Sequence, residues 1–209
     1  MKQEEKNYKK IIFLRHGRTN LNDNSFLGIK RDPEIIINKD LIKKIKQIRK
    51  ENISLIFSSE LKRSIQTAKL INTKKIIIDN YLNEKDYGKG ENMTYNTLVK
   101  KFPYIKKAWS NKRDPKFPEG ESDKDVFFRL KKFKKKLLKY LSKDKSESSL
   151  AVLTHNVVLR CLIGSEFQIP KADWHKIKID HLEKIEFIYY QNKLLPNINR
   201  EYFLGKVFK

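Results

Sequence analysis

Short apolar runs alternate with helical stripes along most of this 209-residue chain. Lys10 to Arg15 (KIIFLR) encloses four consecutive apolar residues and gives way to a polar His-Gly pair, which predicts a doubly buried strand feeding a loop. From Asn38 to Lys50 the apolar residues Leu41, Ile42, Ile45 and Ile48 share one stripe, so a helix is expected. Ile53 to Phe57 predicts a second buried strand, ended by Ser58-Ser59. A helix over Glu60 to Ile71 follows from Leu61, Ile65 and Ala68, with Ser59 as its N-cap. Lys75 to Asp79 predicts a third strand. From Asn80 to Ser122 periodicity breaks down amid Gly88, Gly90, Pro103, Pro115, Pro118 and Gly120, with one short helix expected around Thr94 to Lys101.

Regular patterning resumes at Asp123. Val126, Leu130, Phe133, Leu137 and Leu141 predict a long helix from Asp123 to Leu141, followed by a polar loop from Ser142 to Ser149. Leu150 to Thr154 is the fourth predicted strand, and a helix is expected from His155 to about Phe167. Lys184 to Tyr190 is the fifth, placed near a sheet edge. Buried β runs alternating with helices predict an α/β three-layer sandwich: a mainly parallel central sheet with helices on both faces. The chain reads as a single domain, residues 1–209, with a cap insertion at about 80–122.

Composition narrows the class. Hydrophobic residues make up 39% of the chain, and twelve Phe with nine Tyr suffice for a core. The run Ile11 to Leu14 is far short of the roughly 18 apolar residues of a membrane span. The N-terminal MKQEEKNYKK has no apolar signal region, and Cys161, alone, forms neither an internal disulfide nor a zinc site. A cytoplasmic protein without a membrane partner is expected. The formal charge of +22 would attract polyanions, yet only 9 of the 47 basic residues are Arg and the Lys are spread over the whole chain. The densest run, Lys131 to Lys136, is interrupted at Phe133 in helical register. A solvated Lys-rich surface is therefore the reading, and nucleic acid is not expected as a partner.

Several solutions to phosphate chemistry are absent: no P-loop, no G-x-G-x-x-G, and Phe167 where a cysteine-phosphatase loop starting at Cys161 needs Arg. Histidine remains, at four positions. His16 follows the first strand and His155 the fourth, at the carboxyl ends where open α/β sheets bind ligands. Arg63 lies in the first turn of the helix after the second strand, and Arg15 precedes His16. Two His and two Arg on one rim suit a dianionic phosphoryl group, and a neutral imidazole can accept it if its other nitrogen is held as a donor. His175 and His181 lack this strand-end setting and read as structural; Cys161 reads as a small packing residue.

These residues carry a resemblance. Arg15-His16-Gly17-x-Thr19 is similar to the R-H-G-x-[ST] signature of the histidine phosphatase superfamily, the phosphoglycerate-mutase-like clan. Asn22, Gly28 and Asp32-Pro33 match its continuation, and Ser58-Ser59-x-Leu61-x-Arg63-Ser64-x-x-Thr67-Ala68 its next block. Leu82-x-Glu84-x-x-Tyr87-Gly88, Pro118-x-Gly120-Glu121-Ser122 with Asp125 and Arg129, and Thr154-His155 with Arg160 complete the family order. The resemblance implies that His16 attacks phosphorus and becomes phosphohistidine. Arg15, Arg63 and His155 would hold the phosphoryl oxygens, and Glu84 would protonate the leaving oxygen and then activate water. Substrate contacts fall to Asn22, the backbone near Gly28, Tyr87 and Asn156. No metal and no cofactor are implied.

The chain departs from the family pattern at Arg18, where Glu or Gln is common, and at Asn156, where Gly is usual. Lys89-Gly90-Glu91-Asn92-Met93-Thr94 lacks the Trp of the phosphatase branch. The expected activity is metal-independent hydrolysis of a small phosphorylated metabolite, because the stretch from Glu84 to His155 is short like that of the phosphatase branch. A phosphoglycerate mutase is the alternative, and a basic polyanion-binding module on the same fold a further one. Lys85, Lys89, Lys112, Arg113 and Lys116 either select an acidic substrate or are solvated surface charges. Substrate identity and oligomeric state stay open.

Overall fold

A computed structural model describes residues 8–21, 25–71, 75–197, 201 and 205. Six strands, β1 (Lys9–Arg15), β2 (Ile53–Ser58), β3 (Ile76–Ile78), β4 (Ser149–Thr154), β5 (Lys184–Tyr190) and β6 (Lys193–Pro196), form one sheet in the order β3-β2-β4-β1-β5-β6. The β3-β2-β4-β1 pairs are parallel, and β5 and β6 join antiparallel. The helices are α1 (Lys39–Arg49), α2 (Lys62–Ile71), α3 (Tyr95–Lys101), α4 (Pro103–Ser110), α5 (Asp123–Leu141) and α6 (Asn156–Glu166).

Alternate residues of the inner strands feed two separate cores, as a strand covered on both faces requires. Ile11 and Phe13 of β1 and Val152 of β4 pack with α5 and α6, whereas Ile12, Leu14 and Leu153 pack with Leu41, Ile45 and Ile48 of α1 and Ala68 of α2. The Lys131–Lys136 run is the outer face of α5: Phe133 is fully buried, while Lys134 pairs with Glu166 and Lys136 with Asp79. The mixed, mainly parallel α/β sheet with helices around it is the expected fold class. No described helix is long and apolar enough to cross a membrane.

Three elements differ from the sequence expectation. Pro103 does not break the chain; it starts α4 at the N-terminal position, where its missing N–H has no helical partner to lose. β6 forms a hairpin with β5 through Gln191 and Asn192, both with positive φ (46° and 58°), so β5 lies one strand in from the edge. Helix α2 starts at Lys62, and the Ser59 hydroxyl accepts instead from the Leu61 N–H, at 3.1 Å. The segment 80–122 contains no strand and has a small apolar cluster of its own around Leu98, Ile105 and Phe117.

Helix α6 carries the residues after His155 and is seated on Trp174 through Gly164. A Cβ on Gly164 would lie 2.1 Å from Trp174 Nε1, whose N–H already donates to the Ile169 carbonyl at 2.9 Å. Gly164→Ala is therefore expected to destabilise the protein by about 3 kcal/mol, at the upper end of overpacking costs, in urea unfolding. A shift below about 0.5 kcal/mol would show that this contact does not set the helix position.

Candidate active site

Strand register brings the two histidines together. β1 and β4 run parallel with Arg15 opposite Thr154, so the next residue on each strand leaves the sheet at the same level. The His16 N–H donates to the Thr154 carbonyl (3.1 Å), and the His16 and His155 ring centroids are 4.9 Å apart. Both side chains are buried, His16 at 4% exposure and His155 at 0%.

The His16 ring is oriented by its own chain. Nδ1 lies 2.7 Å from the Gly17 carbonyl, which can only accept, so Nδ1 carries the proton and Nε2 keeps its lone pair. The Gly17 N–H in turn donates to Thr67 Oγ1 (2.9 Å), and Thr67 donates to the Arg63 carbonyl (2.6 Å). Burial, followed by Arg63, His181 and Arg15, holds the His16 pKa well below the ordinary 6.5. The ring is neutral at physiological pH.

His155 is held by a relay. Its Nε2 donates to Ser59 Oγ (2.8 Å), and Ser59 donates to Asn83 Oδ1 (3.0 Å); Asn83 Nδ2 donates to Glu60 (2.6 Å). The Asn83 amide has its donor end on Glu60, so the oxygen faces Ser59 and fixes the direction of the chain. His155 Nδ1 is buried and has no hydrogen-bond partner among the described residues. Burial first, and then Arg63, press the His155 pKa well below 6.5 as well.

The guanidinium groups are anchored by main-chain oxygens. Arg15 donates to the Ile179 carbonyl (2.8 Å). Arg63, 1% exposed, donates to the carbonyls of Gly28 (2.8 Å) and Arg31 (3.2 Å) and to Asp32 Oδ1 (3.3 Å). Both Nε–H groups are buried without a partner among the described residues. Unpaired buried donors are costly, and the two Arg Nε–H groups suit an anion that would satisfy them, whereas His155 Nδ1 carries a lone pair in the neutral ring and would donate only once protonated.

Glu84 comes to this cluster from the 80–122 segment. Its Oε1 accepts from the Lys85 and Val157 N–H groups (2.9 and 3.2 Å), and its Oε2 from the Asn156 N–H (3.1 Å). The carboxylate thus caps the N-terminus of α6, where the helix dipole favours negative charge. Asn156 Oδ1 is buried and has no partner among the described residues. The Gly28 N–H is not open to a ligand, because it donates to Glu91 Oε1 (3.0 Å). A Cβ there would lie 2.6 Å from the Lys85 carbonyl, so the absence of a side chain lets two loops touch. Tyr87 packs on Phe26 and Phe117, with its phenol pKa well above 10 from burial and nearby Glu84. Asn22 lies outside the described residues. Cys161 is fully buried, as its packing role requires.

Two residues that the sequence reading left out belong to this cluster. His181 sits on the loop before β5; its Nδ1 donates to the His16 carbonyl (2.7 Å) and its ring meets the His16 ring at 5.2 Å and 61°. Burial, with Arg15 next, lowers its pKa to about 4. Ser59 is the relay partner of His155 described above.

The fold and this cluster place a buried, neutral histidine beside two guanidinium groups and a second histidine at the carboxyl edge of the parallel strands. A family model described as "Histidine phosphatase superfamily (branch 1)" matches residues 11–196, and the chain belongs to that family. It is 32% identical over 159 residues to fructose-2,6-bisphosphatase from Saccharomyces cerevisiae, covering 73% of this chain and 33% of the yeast protein, about a third of its length. Phosphoglycerate mutase-like protein 4 from Arabidopsis thaliana is 28% identical over 167 residues, covering 76% of this chain and 71% of that one. The fold is shared with mycobacterial glucosyl-3-phosphoglycerate phosphatase in complex with VO3, at a TM-score of 0.73, 19% identity, and coverage of 91% and 98%.

Proposed function

We propose that the protein hydrolyses a small phosphomonoester, without a metal ion, through a phosphohistidine at His16. The observation that carries this reading is the His16 Nδ1 bond to the Gly17 carbonyl, which leaves Nε2 as the available base. In the first step Nε2 attacks phosphorus, the bond to the leaving oxygen breaks, and Glu84, which takes up a proton when the substrate dianion enters beside it, gives that oxygen its proton. In the second step the Glu84 carboxylate takes a proton from water, the water oxygen attacks phosphorus, and the N–P bond breaks. Phosphate leaves, Glu84 gives up the proton it took from water, and neutral His16 and the Glu84 carboxylate are restored. Arg15, Arg63 and His155 stabilise the oxygens as charge develops on them. His155 becomes a second donor through Nδ1 when a bound dianion raises its pKa.

The test is phosphate release from a panel of phosphomonoesters in EDTA. Release that persists in the chelator supports the reading. Isomerisation of 3-phosphoglycerate without release would replace it with mutase chemistry.

The depressed His16 pKa makes a prediction about pH. The nucleophile must be neutral, so activity falls as pH drops through its folded pKa, which lies well below 6.5. At pH 5.5 an unperturbed imidazole would be about 90% protonated. Corrected for the fraction of dianionic substrate, kcat/KM is expected not to fall by more than about twofold between pH 7 and 5.5. A tenfold fall centred near 6.5 would contradict the geometry.

A further inference from the structure

A cavity of about 430 Å³ opens beside Glu84, between the 80–122 segment and α6, within the roughly 300–1,000 Å³ range of small-molecule sites. It begins at residues that bind the Glu84 carboxylate: Lys85 and Val157, whose N–H groups both donate to Glu84, line it. If Glu84 protonates the leaving oxygen, the rest of the leaving group projects into this cavity. That link rests on the reading above.

The cavity has an apolar side and a cationic side. Phe26, Tyr87, Trp109 and Phe117 form one wall, packed edge to face and stacked on one another. Lys112, Arg113, Arg160 and Lys171 supply four further cations, and none has an ion-pair partner among the described residues. The acids present are already engaged: Asp123 pairs with Lys85 (2.7 Å), and Asp114 accepts from the Asp123 and Lys124 N–H groups. Asp173, near Lys112, pairs with Lys176 (2.6 Å).

This separates the five basic residues that the sequence singled out. Lys89 pairs with Glu119 and Lys116 with Asp125, as ordinary surface charges do. Lys112 and Arg113 instead face a cavity that is net cationic, five Lys or Arg against Asp114 and Asp123, joined by Arg160 and Lys171 from distant parts of the chain. Convergence of unpaired cations from three segments on one apolar-walled cleft is a recognition site for an anion.

We propose that this cavity is the leaving-group site and selects phosphomonoesters whose leaving group carries a second anionic group, carboxylate or phosphate, on a compact apolar or ring-shaped body. The cations hold the distal anion while the aromatic wall covers the body between the two charges.

The test compares kcat/KM for phenyl phosphate, 4-carboxyphenyl phosphate and 1,4-phenylene bisphosphate. At low ionic strength the anionic substrates are expected to exceed phenyl phosphate by about tenfold or more, with screening by salt reducing the ratio. In a Lys112→Gln/Arg113→Gln/Lys171→Gln variant the ratio is expected to fall to within about twofold of unity. The bisphosphate and carboxylate arms show which anion is favoured. Ratios near unity in the unmodified protein, or ratios untouched by the triple substitution, would overturn the proposal. Calorimetric binding of the same three compounds to His16→Asn protein separates the pocket from the chemistry. Tighter binding of the anionic compounds supports the pocket even if no ester is turned over, and equal binding refutes it even if all are.

Discussion

His16→Ala is expected to lower kcat by about 10⁴–10⁶-fold, the loss typical of removing a catalytic nucleophile. The neighbouring rings are fixed in other positions: His155 lies 4.9 Å away and is held by Ser59 through Nε2, and His181 is tied by Nδ1 to the His16 carbonyl, so neither occupies the place of the His16 ring. The substitution also leaves the Gly17 carbonyl without its buried donor, at a cost of about 1–3 kcal/mol. His16→Asn offers that carbonyl an amide donor in place of the imidazole and serves as the control for folding. Thermal unfolding beside steady-state kinetics distinguishes the two effects: the Asn variant should remain folded and be equally inactive. Residual activity within about a hundredfold of the unmodified protein would place the nucleophile elsewhere.

Glu84→Gln has the second largest expected effect, a loss of about 10²–10⁴-fold in kcat with phenyl phosphate. A carboxamide can neither protonate a leaving phenoxide nor deprotonate water. With p-nitrophenyl phosphate the leaving group needs no proton, so the first step should survive while the second slows. The expected signature is a burst of one p-nitrophenol per enzyme followed by a slow steady rate. The structural consequence can be measured separately. The Glu84 carboxylate accepts from the N–H groups of Lys85, Asn156 and Val157. Glutamine keeps one acceptor oxygen and turns an NH₂ group toward the remaining amide, so a loss of about 1–2 kcal/mol at the start of α6 accompanies the kinetic defect. A kcat with phenyl phosphate within tenfold of the unmodified value would show that Glu84 is a helix cap and no more.

The legible part of the site is the part built on parallel strands. His16 and His155 each follow a buried apolar run, and parallel pairing delivers the ends of such runs to one edge whatever their separation in sequence. His181 was missed for the converse reason. β5 is antiparallel to β1, with Lys184 opposite Leu14, so the residues before β5, not after it, reach the catalytic edge. Strand direction is not written in an apolar run, and only knowledge of the antiparallel pairing would have singled out His181. Ser59 was recognised as a capping residue, but its link to His155 and Asn83 joins positions 96 and 24 residues away, which local pattern cannot show.

The 80–122 segment was the least readable. Its helices are short and its apolar residues pack on one another and on Phe26 instead of on the sheet, so no long periodic stripe marks them. Its charges were ambiguous for the same reason. Lys89 and Lys112 are equivalent in sequence, and only the fold shows that one meets Glu119 while the other borders a cleft.

The central claim is that phosphorus is transferred to His16 Nε2. The most direct test mixes the protein with p-nitrophenyl phosphate, quenches in alkali within the first turnovers, and locates any phosphoryl group by peptide mass spectrometry. One phosphoryl group is expected on the peptide containing His16, stable to alkali, lost in acid, and absent from His16→Asn protein. Full turnover with no phosphoenzyme trapped at any time, or a phosphoryl group on another residue, would contradict it.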